Sequence, residues 1–135
     1  MKKLILILIF VTFHAHAHCP LDFKAADLCA KITWVNGPFL GSTSHMELNF
    51  WEKSDSSHAP ISPAFDVNIY SWMVMANGHS HGGPKFQSVE ITPGIFETKD
   101  VRFFMGRMQG YWLIKIDLSE NGNIISAAES EVSFK

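Results

Sequence analysis

Residues 45–52 read HMELNFWE, and this segment decides the fold class. Met46, Leu48 and Phe50 take one side; His45, Glu47 and Asn49 take the other. Alternation with a period of two is the mark of a strand half-buried against a core. Upstream, CAKITWVNG at 29–37 repeats the pattern, with Ala30, Ile32 and Trp34 opposite Lys31 and Thr33. Asn36, Gly37 and Pro38 then end the run, as turn residues do. Downstream, KSDSSHAPISP at 53–63 is polar and carries two prolines, so it reads as a loop crossing between strands or sheets. Alternation resumes in DVNIYSWMVMA at 66–76, with Val67 and Ile69 inward.

The remaining segments fit the same scheme. FQSVEI at 86–91, VRFFM at 101–105 and YWLIKIDL at 111–118 are further strands, and Val132 and Phe134 keep phase in a tail that suits an edge strand. GRMQG at 106–110 reads as a hairpin connection. NGHSHGGP at 77–84, with three glycines and a proline, reads as a loop without regular structure. PLDFKAADL at 20–28 is an irregular lead-in or one helical turn. Seven or eight short strands and no helical period predict an all-β fold, a small antiparallel immunoglobulin-like β-sandwich. A small closed barrel is the alternative. The four tryptophans, at 34, 51, 72 and 112, read as core or cross-strand packing.

The N-terminus reads as an export signal. Lys2 and Lys3 precede the apolar run LILILIFV at 4–11, and Ala15-His16-Ala17 supplies a small-residue cleavage site. The run is too short to span a bilayer unaided. Cleavage after Ala17 leaves one domain, residues 18–135, in a periplasmic or secreted location. It would also expose His18 as a new terminus, whose amine and imidazole together could chelate copper(II). Cys19 and Cys29 are the only cysteines and suit a disulfide in an oxidising compartment. Cys19 also stands where a lipid-bearing cysteine would stand, although His18 before it is not small. Membrane association is expected only with that lipid or an uncleaved leader.

Charge excludes one class of partner. The chain has 11 basic and 13 acidic residues, and loss of Lys2 and Lys3 takes the balance from −2 to −4. With no basic run to meet a phosphate backbone, nucleic acid is not expected as a partner.

The chemistry-bearing residues gather around residues 73–108. His79 and His81 stand two apart in the glycine-rich segment. Met73 and Met75 precede them, while Met105 and Met108 flank the 106–110 connection. Thioether sulfur is a soft donor that favours copper(I), and imidazole also suits copper. Met73 and Met75 are equally well read as core packing. Met108, between Arg107 and Gln109, is not. These residues give an expected metal site of His79 and His81 with a methionine from Met75, Met105 or Met108. His45 on the polar side of its strand and His58 in the polar loop read as exposed; either could join a second site with His18.

The stretch from Trp72 to Trp112 resembles the YtkA-like or FixH-like domain of bacterial extracytoplasmic proteins. The matching pieces are MVMANGHSHGGP at 73–84, TPGIFETKDVRFFM at 92–105 and GYWLIKIDL at 110–118. The resemblance implies an immunoglobulin-like sandwich acting as a periplasmic copper carrier or chaperone. It points to Met75, His79 and Met105 as site residues, with His81 an extra histidine. The chain departs from that pattern at Asn77, where the family has a methionine, and in its cysteine pair, which lies outside the matching stretch. The cofactor implied is copper, as Cu(I), and the partner a copper acceptor protein.

Two rival readings remain. No G-x-S-x-G elbow occurs, and His79 and His81 with a remote carboxylate such as Glu97 or Asp100 lack a marked general base, so neither an enzyme nor a small-molecule substrate is expected. A secreted immunoglobulin-like interaction or structural module, without metal, is the alternative function.

Overall fold

The computed structural model describes residues 18–107 and 109–135. The expected leader at 1–17 and Met108 lie outside the described residues. Among the described residues nine strands follow in order: β1 (Leu21–Phe23), β2 (Leu28–Asn36), β3 (Thr43–Glu52), β4 (Asp66–Met75), β5 (Ser80–Gly82), β6 (Ser88–Thr92), β7 (Ile95–Arg102), β8 (Gly110–Glu120) and β9 (Asn123–Glu131). A single 3-10 turn, Lys24–Ala26, separates β1 from β2. The strands form two sheets, ordered β1-β2-β3-β7-β6 and β5-β4-β8-β9, and the pairings between these strands are antiparallel. This is the immunoglobulin-like sandwich the alternation predicts; the closed barrel is not formed.

The core is built from the inward face of each sheet. Phe23, Met46, Leu48, Phe50 and Val101 from one sheet meet Ile69, Met73, Trp112, Ile114, Ile116 and Leu118 from the other. Each such side chain, fully buried, is worth about 1.5–3 kcal/mol. The 53–65 segment crosses from β3 in one sheet to β4 in the other, as its polar, proline-containing sequence suggests.

Two local expectations are corrected. The 103–109 segment is not a hairpin, because β7 and β8 lie in different sheets. Its Phe103 packs against Trp34, Trp112 and Phe134, with ring centroids 6.0, 5.5 and 5.3 Å away. Trp112 Nε1 then donates to the Phe104 carbonyl at 3.2 Å. Aromatic burial therefore carries the chain across the sandwich, where a tight turn would have left Phe103 in water. The 77–84 segment, read as irregular, contains β5, which pairs with β4 through Trp72↔Gly82, Met73↔His81 and Val74↔Ser80. The cause is a three-residue hairpin loop. Gly78 adopts φ 87° and donates to the Met75 carbonyl, while Met75 donates to His79. An Asn-Gly pair supplies the positive φ that such a loop requires.

A small second cluster lies on the outer face of the five-stranded sheet. Trp51 falls out of phase with Met46, Leu48 and Phe50, yet it is only 1% exposed. The His58 ring stacks on it at 4.4 Å and 21°. Its cross-strand partner is Cys29, which is joined to Cys19 by a disulfide. Cys19 sulfur is thus committed to that bridge in this structure. No helix among the described residues is long and apolar enough to cross a membrane.

Candidate functional site

The β4–β5 hairpin gathers four of the chemistry-bearing residues on one face. Directly opposed residues in an antiparallel pair put their side chains on the same side of the sheet. Met73 is paired with His81 on one flank and Trp112 on the other. Met75 is hydrogen-bonded to His79 across the loop and paired with Gly110. Two rows therefore run across the sheet on its inward side, His81–Met73–Trp112 and His79–Met75–Gly110. At the edge strand this inward side opens to solvent, so both histidines are exposed while Met73 is buried and Met75 half-buried.

The local geometry defines what these groups can do. His81 Nδ1 lies 2.9 Å from the Gly82 carbonyl oxygen. A carbonyl only accepts, so Nδ1 carries the proton and Nε2 holds the free lone pair. The His81 ring also stands edge-on to Trp112, with centroids 6.4 Å apart at 89°. The His79 amide donates to Asn77 Oδ1 at 3.0 Å, which closes an Asx-type turn ahead of the edge strand. A shallow depression of ≈ 150 Å³ is lined by Met75, Ala76, Asn77 and Gln109. That is below the range of organic-ligand pockets and large enough for an ion with a few waters.

Close packing fixes this corner. A Cβ on Gly110 would fall 2.2 Å from the Val74 carbonyl oxygen and 2.8 Å from Met73 Cε. Only glycine lets β8 begin there, with the Met73 methyl against its backbone. Met105 is partly buried against the core, in the crossover that delivers Phe103 and Phe104. Among the expected site residues, then, His79, His81 and Met75 share one sheet edge. Met105 belongs to the adjoining crossover, and Met108 lies outside the described residues. Met73, left aside as core in choosing ligands, is the methionine directly opposite His81. The i, i+2 spacing of Met73 and Met75 already put both on one face; the missing signal was the Asn-Gly loop, which adds the histidines to that face.

Among the described residues the other histidines, His18, His45 and His58, have partners. His45 is half-buried, with Nε2 3.2 Å from Glu97 Oε2, close enough to pair when protonated but off the line of a hydrogen bond. Lys99, ahead of His45, holds the Glu97 carboxyl below its ordinary range. His58 is not free in its loop: its Nε2 lies 2.7 Å from His18 Nδ1. Among the described residues no group of three or more His, Cys, Asp or Glu side chains is arranged to hold a metal ion. The imidazoles of the hairpin are accompanied by thioethers instead.

Comparison with known proteins adds little to this geometry. No family model matches the chain, and no solved structure matches it significantly. Among curated proteins it is similar to the mitochondrial succinate dehydrogenase cytochrome b560 subunit of Mus musculus, 32% identical over 101 residues. That alignment takes in 66% of this chain, which spans just over half (56%) of the length of that relative. An overlap of this extent establishes no family.

Proposed function

We propose that this chain is an extracytoplasmic immunoglobulin-like interaction module, and that it binds a protein partner through the end of the sandwich beside the β4–β5 hairpin. The observation that carries this reading is the apolar exposure there. Val35, Leu40, Phe104 and Tyr111 are 54%, 46%, 54% and 43% exposed. All four adjoin that end: Leu40 bridges to Phe103, Phe104 accepts from Trp112, Tyr111 pairs with Val74 at the close of β4, and Val35 follows Trp34, whose ring packs on Phe103. They are half of the eight large apolar side chains exposed among the described residues, the others lying on β6 and β9, and exposed apolar groups gathered at one end of a small domain mark interaction surfaces. The test is photo-crosslinking in the exporting cell from a probe placed at Phe104. A single adduct of defined mass, lost when Leu40 and Tyr111 are both changed to serine, is the expected result. Crosslinks spread over many proteins, unchanged in that double variant, would overturn the reading.

One observation favours a second reading, a copper(I) carrier. His79, His81, Met73 and Met75 share one face of one sheet edge, a soft donor set of the kind that prefers copper(I). The resemblance to YtkA-like and FixH-like domains supports the same assignment, and the neighbouring apolar rim would then receive the copper acceptor. An anaerobic copper(I) titration against a chromophoric chelator separates the two. The interaction module takes up no stoichiometric copper(I) at this edge. The carrier takes up one equivalent, lost in the His79→Ala, His81→Ala variant. Neither reading includes catalysis.

A further inference from the structure

We propose that His18 and His58 form a copper(II) site at the opposite end of the sandwich, completed by the His18 main-chain nitrogen once the chain is cut before it. The site stands apart from the hairpin. It lies against Trp51, seven residues along β3 from Ser44, which pairs with Val101 near the hairpin end. At strand rise that is about 23 Å.

The two rings already stand at ligand spacing. His18 Nδ1 and His58 Nε2 are 2.7 Å apart. Two nitrogens bound at right angles to one ion, each about 2.0 Å from it, sit about 2.8 Å from each other. His18 Nε2 lies 3.0 Å from the Lys53 carbonyl oxygen, so its proton is on Nε2 and Nδ1 presents a lone pair. A backbone carbonyl fixing the tautomer of a ligand histidine in this way is the usual outer-shell arrangement at metal sites. As the rings stand, His58 Nε2–H donates to that lone pair. With metal present, His58 takes its proton on Nδ1 and turns the Nε2 lone pair to the ion; no ring proton is lost.

Each ring is held from behind. His58 has φ 56°, a left-handed conformation, and its amide donates to the Asp55 carbonyl at 3.3 Å. The Asp55 carboxylate fastens the same turn by accepting from the amides of Ser57 and Ala59. The ring then lies on Trp51, which is buried and whose indole nitrogen has no hydrogen-bond partner among the described residues. His18 is anchored by the adjacent Cys19–Cys29 bridge, and Cys29 pairs with Trp51. β3, the disulfide and the 53–65 segment converge on this ring pair.

The third donor comes from the covalent chain. A terminal amine on His18 and its own Nδ1 close a six-membered chelate ring on a metal. The small-residue site ending at Ala17 is where an export peptidase would release that amine. Three nitrogens of this kind suit the tetragonal preference of copper(II), which also stands highest among divalent first-row ions for nitrogen donors.

The test uses the protein exported from its full sequence, with its N-terminus determined by intact mass. We expect a chain beginning at His18 that binds one copper(II), with nitrogen hyperfine structure in its paramagnetic resonance spectrum. His58→Phe, which keeps a ring over Trp51, should weaken binding at least 100-fold and remove one nitrogen from the spectrum, with an unchanged circular dichroism spectrum. A glycine inserted between Ala17 and His18 should weaken it at least 10-fold. The His79→Ala, His81→Ala variant should bind copper(II) as the wild type does. A chain beginning elsewhere than His18 overturns the proposal. So does a His58→Phe protein with affinity within threefold of wild type.

Discussion

Opening the Cys19–Cys29 bridge should cost this domain a large part of its stability, and the cost can be divided in two. The bridged residues are 10 apart in sequence. Closing a loop of that length in the unfolded chain removes entropy worth about 2.7 kcal/mol at 25 °C. Reduction in place leaves both sulfur atoms packed, so it tests that term by itself. The Cys19→Ala, Cys29→Ala variant also removes the Cys29 sulfur from a fully buried position beside Trp51. A deletion of that size adds about 1 kcal/mol. Urea unfolding followed by circular dichroism should therefore give losses of about 2.7 and about 3.7 kcal/mol. The denaturant slope should rise slightly in both, because the uncrosslinked chain exposes more surface. Entropy outweighs packing here by more than twofold. A reduced protein within about 1 kcal/mol of the oxidised one would refute the argument, since the loop term would then not be acting through the unfolded state.

Three further outcomes follow from the packing and the charges. Gly110→Ala should destabilise by about 1–3 kcal/mol in thermal or urea melts, because its Cβ would strike the Val74 carbonyl oxygen at 2.2 Å. Met73→Ala, which empties a buried position between His81 and Trp112, should cost about 2–5 kcal/mol and broaden the His81 ring signals in proton spectra. Acid should weaken the fold through three carboxylates. Asp55 is held below its ordinary 3.8, first by the Ser57 hydroxyl, and Glu90 and Glu97 below 4.5, first by Ser62 and by Lys99. Each binds its proton less tightly folded than unfolded, so its contribution is complete above the ordinary value and is lost as pH falls through the lower folded one. Stability measured from pH 6 downward should hold level to about pH 5 and then decline, and Asp55→Asn should make that decline shallower.

The fold was legible because both sheets face one core. The single-sided alternation in 45–52 and 66–76 carries into the core, where Met46, Leu48, Phe50, Ile69 and Met73 are all buried; Trp51 breaks it, buried on the outer face. What misled was local. VRFFM and YWLIKIDL sit five residues apart, the spacing of a hairpin, yet within the first only Val101 and Arg102 belong to a strand, β7 of the other sheet, and Phe103 leaves it to pack on three aromatic rings. The glycines of 77–84 masked a hairpin whose loop residues, Asn77 and Gly78, were in plain view. At the candidate site, β-strand period gave the shared face of Met73 and Met75, but long-range pairing was needed to bring His79 and His81 beside them. The His18–His58 contact spans 40 residues and depends on a strap, a bridge and an out-of-phase tryptophan. No local pattern encodes such a meeting.

Each sheet also ends, on one side, in a strand of only three residues, β1 in one and β5 in the other. So short a border offers a foreign strand almost no ladder to extend. The two remaining borders are β6, followed at once by Pro93, and β9, whose last residues include Glu129 and Glu131. Pro93 stops β6 from extending past Thr92, and two copies of β9 laid side by side in parallel register would set Glu129 and Glu131 against their own copies. The three-residue borders therefore resist stacking into ribbons, and edge-to-edge growth is left to β6 and β9, where Val89, Ile91, Ile124 and Ile125 stand exposed.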